Sequence, residues 1–120
     1  MSTKISNGIK IAVSSTGKDL NNKIAEVFGR CPYFIIAEIE SQKIKKTEAV
    51  KNENNNQMSG VGVLTAQLLA EKNIKAVITK NVGPRAMDVL KQFNIAVYSG
   101  SGVIKEALQE FIEKKLKKIN

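Results

Sequence analysis

Short apolar runs alternate with segments of helical periodicity along this chain of 120 residues. Runs that are rich in Ile, Val and aromatic side chains and bounded by turn residues are typical of β-strands. The predicted strands are residues 9–14, 33–39, 43–50, 76–79 and 95–98. Since Glu40-Ser41-Gln42 alone separate the second strand from the third, we expect these two strands to form an antiparallel hairpin.

Apolar residues recur at helical spacing in three longer segments. One predicted helix begins at Val61, a second at Pro84, where proline is favoured as the first helical residue, and a third at about Val103. Residues 21–27 predict an additional short helix capped by an asparagine. The side chains expected to face inward are Val61, Leu64, Leu68 and Leu69 in the first, Met87, Leu90 and Phe93 in the second, and Ile104, Ala107, Leu108, Phe111 and Ile112 in the third.

The order of these elements, β-β-β-α-β-α-β-α, predicts the fold class. Strands that alternate with helices in the second half favour a mostly parallel sheet, to which the hairpin adds an antiparallel member. We therefore predict an α/β protein, a three-layer α/β/α sandwich, as a single domain over residues 1–120. The polar, aperiodic residues 51–57 predict a mobile loop.

The composition excludes several classes of site. The chain has one cysteine and no histidine, so it cannot assemble a Ser-His-Asp or Cys-His catalytic site, an HExxH zinc site or a structural zinc site. No apolar run approaches the roughly 18 residues that span a bilayer, and residues 1–10 lack the apolar core of a signal peptide. With a single cysteine, these features predict a cytoplasmic protein that does not contact a membrane.

The net charge of +8 raises the question of nucleic-acid binding. Much of the basic character lies in residues 43–46 and 114–118, and the second group alternates with apolar positions. This pattern predicts the solvent-exposed face of a terminal helix. Because no RNP aromatic motif or zinc-finger spacing accompanies the lysines, a nucleic-acid partner is disfavoured.

Several glycine-containing segments are expected at one edge of the sheet, where ligands of open α/β sheets bind. They are residues 14–17, 79–84 and 99–102, and residues 59–62 open another helix. Glycines allow close approach of the backbone and helix N-termini offer free N–H groups, so a shared cleft would favour an anion. The alternative is a set of ordinary turns between strands and helices. Gly60-x-Gly62 lacks the third glycine of a dinucleotide fingerprint and no P-loop is present, so no nucleotide cofactor is expected.

Cys31 is the candidate for unusual chemistry, in the run Phe28-Gly29-Arg30-Cys31-Pro32-Tyr33-Phe34. The neighbouring guanidinium of Arg30 would favour the thiolate, which is the form that ligates metal. The alternative is a buried apolar thiol, the commonest state of a free cysteine. The sequence pattern leaves both open.

The residues 28–34 with the sequence FGRCPYF, the Gly60-Val61-Gly62 helix start and the run Asn81-Val82-Gly83-Pro84 resemble the dinitrogenase iron–molybdenum cofactor biosynthesis family, also called the nitrogenase accessory factor family. The resemblance covers nearly the whole chain in the expected order. It implies a ribonuclease H-like fold with a five-stranded mixed sheet, one strand antiparallel. Many relatives carry a histidine where this chain has Gln57-Met58-Ser59. A nuclease is disfavoured, because the first strand carries no carboxylate for metal ions.

The resemblance also implies a function: a non-enzymatic carrier that transiently binds an iron–molybdenum or iron–sulphur cluster. Its expected partners are cluster-assembly or nitrogenase-related proteins, and its expected state is a monomer or weak homodimer. In this reading Cys31 is a thiolate ligand of the metal and Arg30 its electrostatic partner. The residues expected to cradle the anionic cluster are Gly60, Gly62, Asn81 and Gly83. The alternative function is a regulatory binding module for a small anionic metabolite or nucleotide, with Cys31 serving only in packing.

Overall fold

A computed structural model describes residues 8–53 and 60–120 of the chain. The strands are β1 (Ile9–Ser15), β2 (Tyr33–Glu40), β3 (Lys43–Lys51), β4 (Ile74–Thr79), β5 (Ala96–Ser99) and β6 (Lys117–Lys118), and the helices are α1 (Val61–Glu71), α2 (Pro84–Gln92) and α3 (Ile104–Ile112). The five predicted strands and three longer predicted helices are confirmed, with ends shifted by a few residues. Most of the predicted mobile loop, residues 54–57, lies outside the described residues, as do Met58 and Ser59.

The strands form one mixed sheet in the order β3-β2-β1-β4-β5-β6. β1, β4 and β5 are mutually parallel, whereas β2 runs antiparallel to both of its neighbours and β6 runs antiparallel to β5. The predicted hairpin is the β2–β3 pair, which turns at Ser41 and Gln42, both with positive φ. Within the described residues the sheet has six strands and two reversed members, so the expected five strands with one antiparallel member were wrong.

The additional strand comes from the lysine-rich tail, which was predicted to be helical. α3 ends at Ile112, and the backbone turns at Lys114 with a positive φ of 62°. Lys117 and Lys118 then pair with β5, and the Asn120 amide accepts from the Val97 N–H at 2.8 Å and donates to the Ile95 carbonyl at 2.9 Å. The lysines are exposed as expected, but on the edge of a sheet, where lysine also discourages pairing with other chains.

Helices cover both faces of the sheet, which confirms the three-layer α/β/α architecture. Successive residues of β1 point to opposite faces: Ala12 packs in the core beneath α1 and α2, whereas Ile11 and Val13 pack in the core beneath α3. The buried helical residues are Ala66 and Leu69 of α1, Ala86 and Leu90 of α2, and Ile104, Ala107 and Leu108 of α3. No helix within the described ranges is long and apolar enough to cross a bilayer.

Residues 21–27 do not form the predicted helix. Ile24 and Ala25 are buried there, and their N–H groups donate to the carbonyls of Gly102 and Ser14 at 2.9 Å. A helix this short gains few internal hydrogen bonds, so pairing with neighbouring loops and strands replaces them.

The inward faces of two helices also differ from the prediction. In α1 the buried residues are Thr65, Ala66 and Leu69, while Leu64 is 40% exposed. In α2 Leu90 is buried as predicted, but Phe93 comes just after the helix and is 50% exposed. Small residues lie where the starts of α1 and α2 approach each other closely, since a Cβ atom on Gly62 would lie 2.9 Å from the Ala86 Cβ.

Candidate functional site

A cavity of about 410 Å³ opens where three chain segments meet. They are residues 27–30 of the loop before β2, residues 60–63 at the start of α1 and residues 83–86 at the start of α2. Four of the predicted site residues line it: Arg30, Gly60, Gly62 and Gly83. The structure thus brings together the FGR, Gly-x-Gly and Gly-Pro motifs, which are far apart in the sequence.

Small residues make this close convergence of backbone possible. A Cβ atom on Gly29 would lie 2.9 Å from the Gly62 Cα and 3.0 Å from the Gly62 nitrogen, and one on Gly62 would lie 2.9 Å from the Ala86 Cβ. Side chains cannot sustain such distances, so the loop and both helices meet only because these positions carry glycine. Gly83, in contrast, has nothing within 4 Å of its would-be Cβ. It faces open space.

Two helix N-termini border the cavity, and their first backbone N–H groups have no partner within the helix. The first intrahelical bonds are Leu64 N–H to the Gly60 carbonyl in α1 and Met87 N–H to the Gly83 carbonyl in α2. The N–H groups that precede Leu64 in α1, and those of Arg85 and Ala86 in α2, therefore have no partner within their helices. Both N-cap residues are glycines, which have no side chain to occupy these donors. The positive ends of both helix dipoles favour an anion here.

Two arginines add full positive charge to the rim. Arg30 and Arg85 both line the cavity, and both are exposed. Arg85 was missed by the sequence analysis, although its position immediately after Pro84, at the start of a helix, is a signal that could have identified it. Apolar side chains complete the walls, including Val27, which is 44% exposed. The cavity therefore combines cationic and N–H donors with a largely apolar surface.

Asn81, the remaining one of the four predicted cradle residues, supports the cavity through hydrogen bonds and does not line it. Its carbonyl accepts from the Phe28 N–H at 2.9 Å, and its side-chain amide donates to the Glu26 carbonyl at 2.9 Å. Lys80 reinforces this contact with a 2.8 Å ion pair to Glu26. Asn81 thus ties the segment that carries Arg30 to the segment that carries Gly83, while lying outside the cavity lining in the described chain.

Cys31 also lies outside the lining. Its side chain is 1% exposed and packs in the core beneath α1 and α2, and its Sγ donates to the Phe28 carbonyl at 3.3 Å. Burial raises the pKa of the thiol to about 12, more than the opposing hydrogen bonds from the Ser15 backbone and the Asn52 amide lower it. Desolvation is the largest cause of this shift, which favours the alternative reading of a buried apolar thiol; ligation of a metal by Cys31 stays a prediction.

The remaining loops at the carboxyl edge do not reach this cavity. Residues 99–101 line a separate polar cavity of about 330 Å³ with Lys80 and Asn81. At the end of β1 the Ser14 hydroxyl donates a buried hydrogen bond of 2.8 Å to the Thr79 hydroxyl of β4. Of the four candidate segments, residues 60–62 and 83–84 therefore line this cavity, with residues 27–30 as its third wall.

The glycine contacts predict a sharp contrast between two alanine substitutions. Gly29→Ala forces a methyl group against the backbone of α1, and overpacking of this kind costs about 1–3 kcal/mol. Gly83→Ala adds a methyl group to open space at an ordinary φ of −66°, so its free energy of unfolding should stay within about 1 kcal/mol of the wild type. Urea unfolding of the three proteins measures both effects. Equal stability of the two variants would contradict the close packing at Gly29.

Known proteins of similar sequence and structure identify the family. The sequence model of the family described as dinitrogenase iron-molybdenum cofactor matches residues 9–114. The uncharacterized protein MJ0580 of Methanocaldococcus jannaschii is 42% identical over 99 residues, which are 82% of this chain and 84% of that protein.

Two solved structures share the fold over nearly their full length. The apo form of the orange protein from Desulfovibrio gigas has a TM-score of 0.84 at 25% identity and covers 96% of both chains. A Thermotoga protein of the DUF35 family, solved by NMR, has a TM-score of 0.77 at 32% identity and covers 92% of both chains. The family match includes all three segments that build the cavity, and the chain belongs to the dinitrogenase iron-molybdenum cofactor family.

Proposed function

We propose that this chain is a non-enzymatic carrier that binds an anionic iron–molybdenum or iron–sulphur cluster precursor in the cavity between residues 27–30, 60–63 and 83–86. The observation that supports this most strongly is the meeting of Arg30, Arg85 and two helix N-termini, both with glycine N-caps, around one cavity. Membership of the dinitrogenase iron-molybdenum cofactor family supports the choice of a metallocluster among possible anions.

The character of the walls favours a sulphide-rich cluster. Small hard anions such as phosphate keep a tight hydration shell, which apolar walls do not replace. A cluster presents polarizable sulphur atoms that tolerate apolar contact and accept N–H hydrogen bonds, and such bonds are one means by which proteins tune bound clusters. Val27 supplies apolar surface, while the α1 N–H groups and Arg85 supply donors.

The mode of binding differs from ordinary iron–sulphur ligation. Such clusters are usually held by four cysteine thiolates, and here the one cysteine, Cys31, is buried, which raises the pKa of its thiol. The cargo is therefore a preassembled cluster that carries its own ligands. Charge and hydrogen bonds retain it, so it can leave without breaking a metal–protein bond, as transfer to a cluster-assembly or nitrogenase-related partner requires. This role fits a cytoplasmic protein.

Anaerobic binding of a synthetic iron–sulphur cluster capped by its own thiolates tests the proposal. We expect the cluster to co-elute with the wild type and with Cys31→Ala in equal stoichiometry, and to raise the melting temperature of both by mass action. No co-elution with either protein would contradict a carrier. Stabilisation by ATP or an organic phosphate, without any by the cluster, would instead support the regulatory binding module.

A further inference from the structure

Asn52 is a buried polar residue that does not line the cavity. It follows β3 directly and is 0% exposed. Its backbone N–H donates to the Pro32 carbonyl at 2.9 Å. Its side-chain Nδ2 donates to two more carbonyls, that of Gly29 at 3.1 Å and that of Cys31 at 2.8 Å. A single residue thus holds three backbone carbonyls of one loop, two through its side chain and one through its backbone N–H.

The two carbonyls held by the Asn52 amide lie on either side of Arg30. The Gly29 carbonyl belongs to the peptide group directly before Arg30, and the Cys31 carbonyl to the Cys31–Pro32 peptide group, so the two bonds bracket Arg30 and hold the backbone from which its guanidinium projects. The arrangement needs two N–H donors on one short, planar group, which is what a carboxamide provides. Aspartate would turn two acceptors toward two carbonyls, and serine has only one donor.

We call the hydrogen bonds from the Asn52 side chain to the Gly29 and Cys31 carbonyls the Asn52 clamp. Because this clamp holds residues that line the cavity, it has a role beyond stability. Gly29 and Arg30 line the cavity, whereas Asn52 and Cys31 lie outside its lining in the described chain. Asn52 is buried and outside the lining, so it holds the Arg30 segment on the side away from the cavity. We infer that Asn52 is a positioning residue that presents Arg30 to the cavity. This inference rests on the proposed function only in the identity of the anion that Arg30 meets.

A double-mutant cycle separates positioning from a general structural role, with the thiolate-capped iron–sulphur cluster as probe. We expect Asn52→Ser to weaken binding about tenfold when Arg30 is present, and less than about twofold when Arg30 is already replaced by glutamine, since an order of magnitude is typical of one misplaced charged hydrogen bond. Equal weakening in both backgrounds, or an unchanged Kd in the first, would overturn the inference. Asn52→Ala, which removes both donors without burying a charge, is the second variant if Asn52→Ser does not fold.

Asn120→Ser is the matched control, because Asn120 also clamps two backbone groups through its amide but does so at β5. It should lower the melting temperature and leave the Kd of the probe unchanged.

A ligand-free measurement keeps this inference distinct from the proposed function. If the wild type does not bind the cluster, the carrier proposal fails, and the NMR order parameter of the Arg30 backbone N–H still tests the clamp. That order parameter should fall in Asn52→Ser and stay unchanged in Asn120→Ser. An unchanged value in Asn52→Ser would overturn the inference.

Discussion

Replacing Arg30 and Arg85 together by glutamine is expected to weaken cluster binding by at least about 100-fold. A hydrogen bond to a charged group contributes about 1.5–3 kcal/mol, and two at the low end of that range correspond to this factor. Both side chains are exposed, so the free energy of unfolding should change by less than about 1 kcal/mol. Titration of each protein with the thiolate-capped cluster, followed by its visible absorbance, measures the difference.

A second double variant controls for net charge. Lys91→Gln with Lys105→Gln also removes two exposed positive charges, one on α2 and one on α3, and neither residue lines the cavity. If only the overall field of the protein attracts the cluster, both double variants should bind equally weakly and their affinities should fall in parallel with salt. If the lysine variant binds the cluster with the Kd of the wild type, the loss of affinity in the arginine variant comes from the cavity. Equal Kd values would contradict a site built on Arg30 and Arg85.

The order of elements could be predicted from sequence because each main element carries its own periodic pattern. β1 and β4 contain the short apolar runs Ile11-Ala12-Val13 and Ala76-Val77-Ile78, α3 has a clear helical repeat, and these patterns do not depend on what packs against them. β6 could not be predicted in this way. It has only two residues, both lysine, and it exists because Asn120 and the backbone of β5 hold it in place.

The residues of the candidate site could likewise be predicted only where their signal is local in sequence. Glycines at helix starts can be recognised locally, and Gly60, Gly62 and Gly83 do line one cavity. The role of Asn81 could not be recognised, since its partners Glu26 and Phe28 are distant in sequence.

The state of Cys31 is the clearest case of a property decided by tertiary structure. In the sequence its neighbour is a guanidinium, and that proximity suggested a thiolate. In the fold the two side chains separate: Arg30 lines the cavity, and Cys31 packs with Phe28 and Phe34 in the core. Sequence adjacency gives no information on which of two successive loop residues points inward, so the pKa of the thiol could not be inferred from its neighbour.

Burial of Cys31 has a large consequence for stability at high pH. The thiol has an ordinary pKa of 9.0, which the unfolded chain retains, and a pKa of about 12 in the folded protein. Between these values the unfolded chain has lost the thiol proton and the folded protein has kept it. The unfolded state then binds fewer protons, so the free energy of unfolding falls as the pH rises. The contribution is fully present below pH 9.

The expected loss is about 1.4 kcal/mol per pH unit, or roughly 4 kcal/mol by pH 12. Urea unfolding of the wild type and of Cys31→Ala at pH 8, 9, 10 and 11, with a reductant present, measures it. Lysine and tyrosine titrations are common to both proteins, so the difference between the two curves isolates the thiol. The wild type should lose stability faster than the variant above pH 9.

Parallel curves would mean that the folded thiol ionises as readily as the unfolded one. Cys31 would then be accessible as a thiolate and available to ligate metal, as the neighbouring arginine first suggested. Diverging curves would mean that Arg30, Arg85 and the helix N-termini bind the cluster without a thiolate ligand from Cys31. Cluster binding by the same two proteins is a second, independent test. A cluster held without a thiolate binds equally to the wild type and to Cys31→Ala, whereas a cluster ligated by the Cys31 thiolate binds only to the wild type.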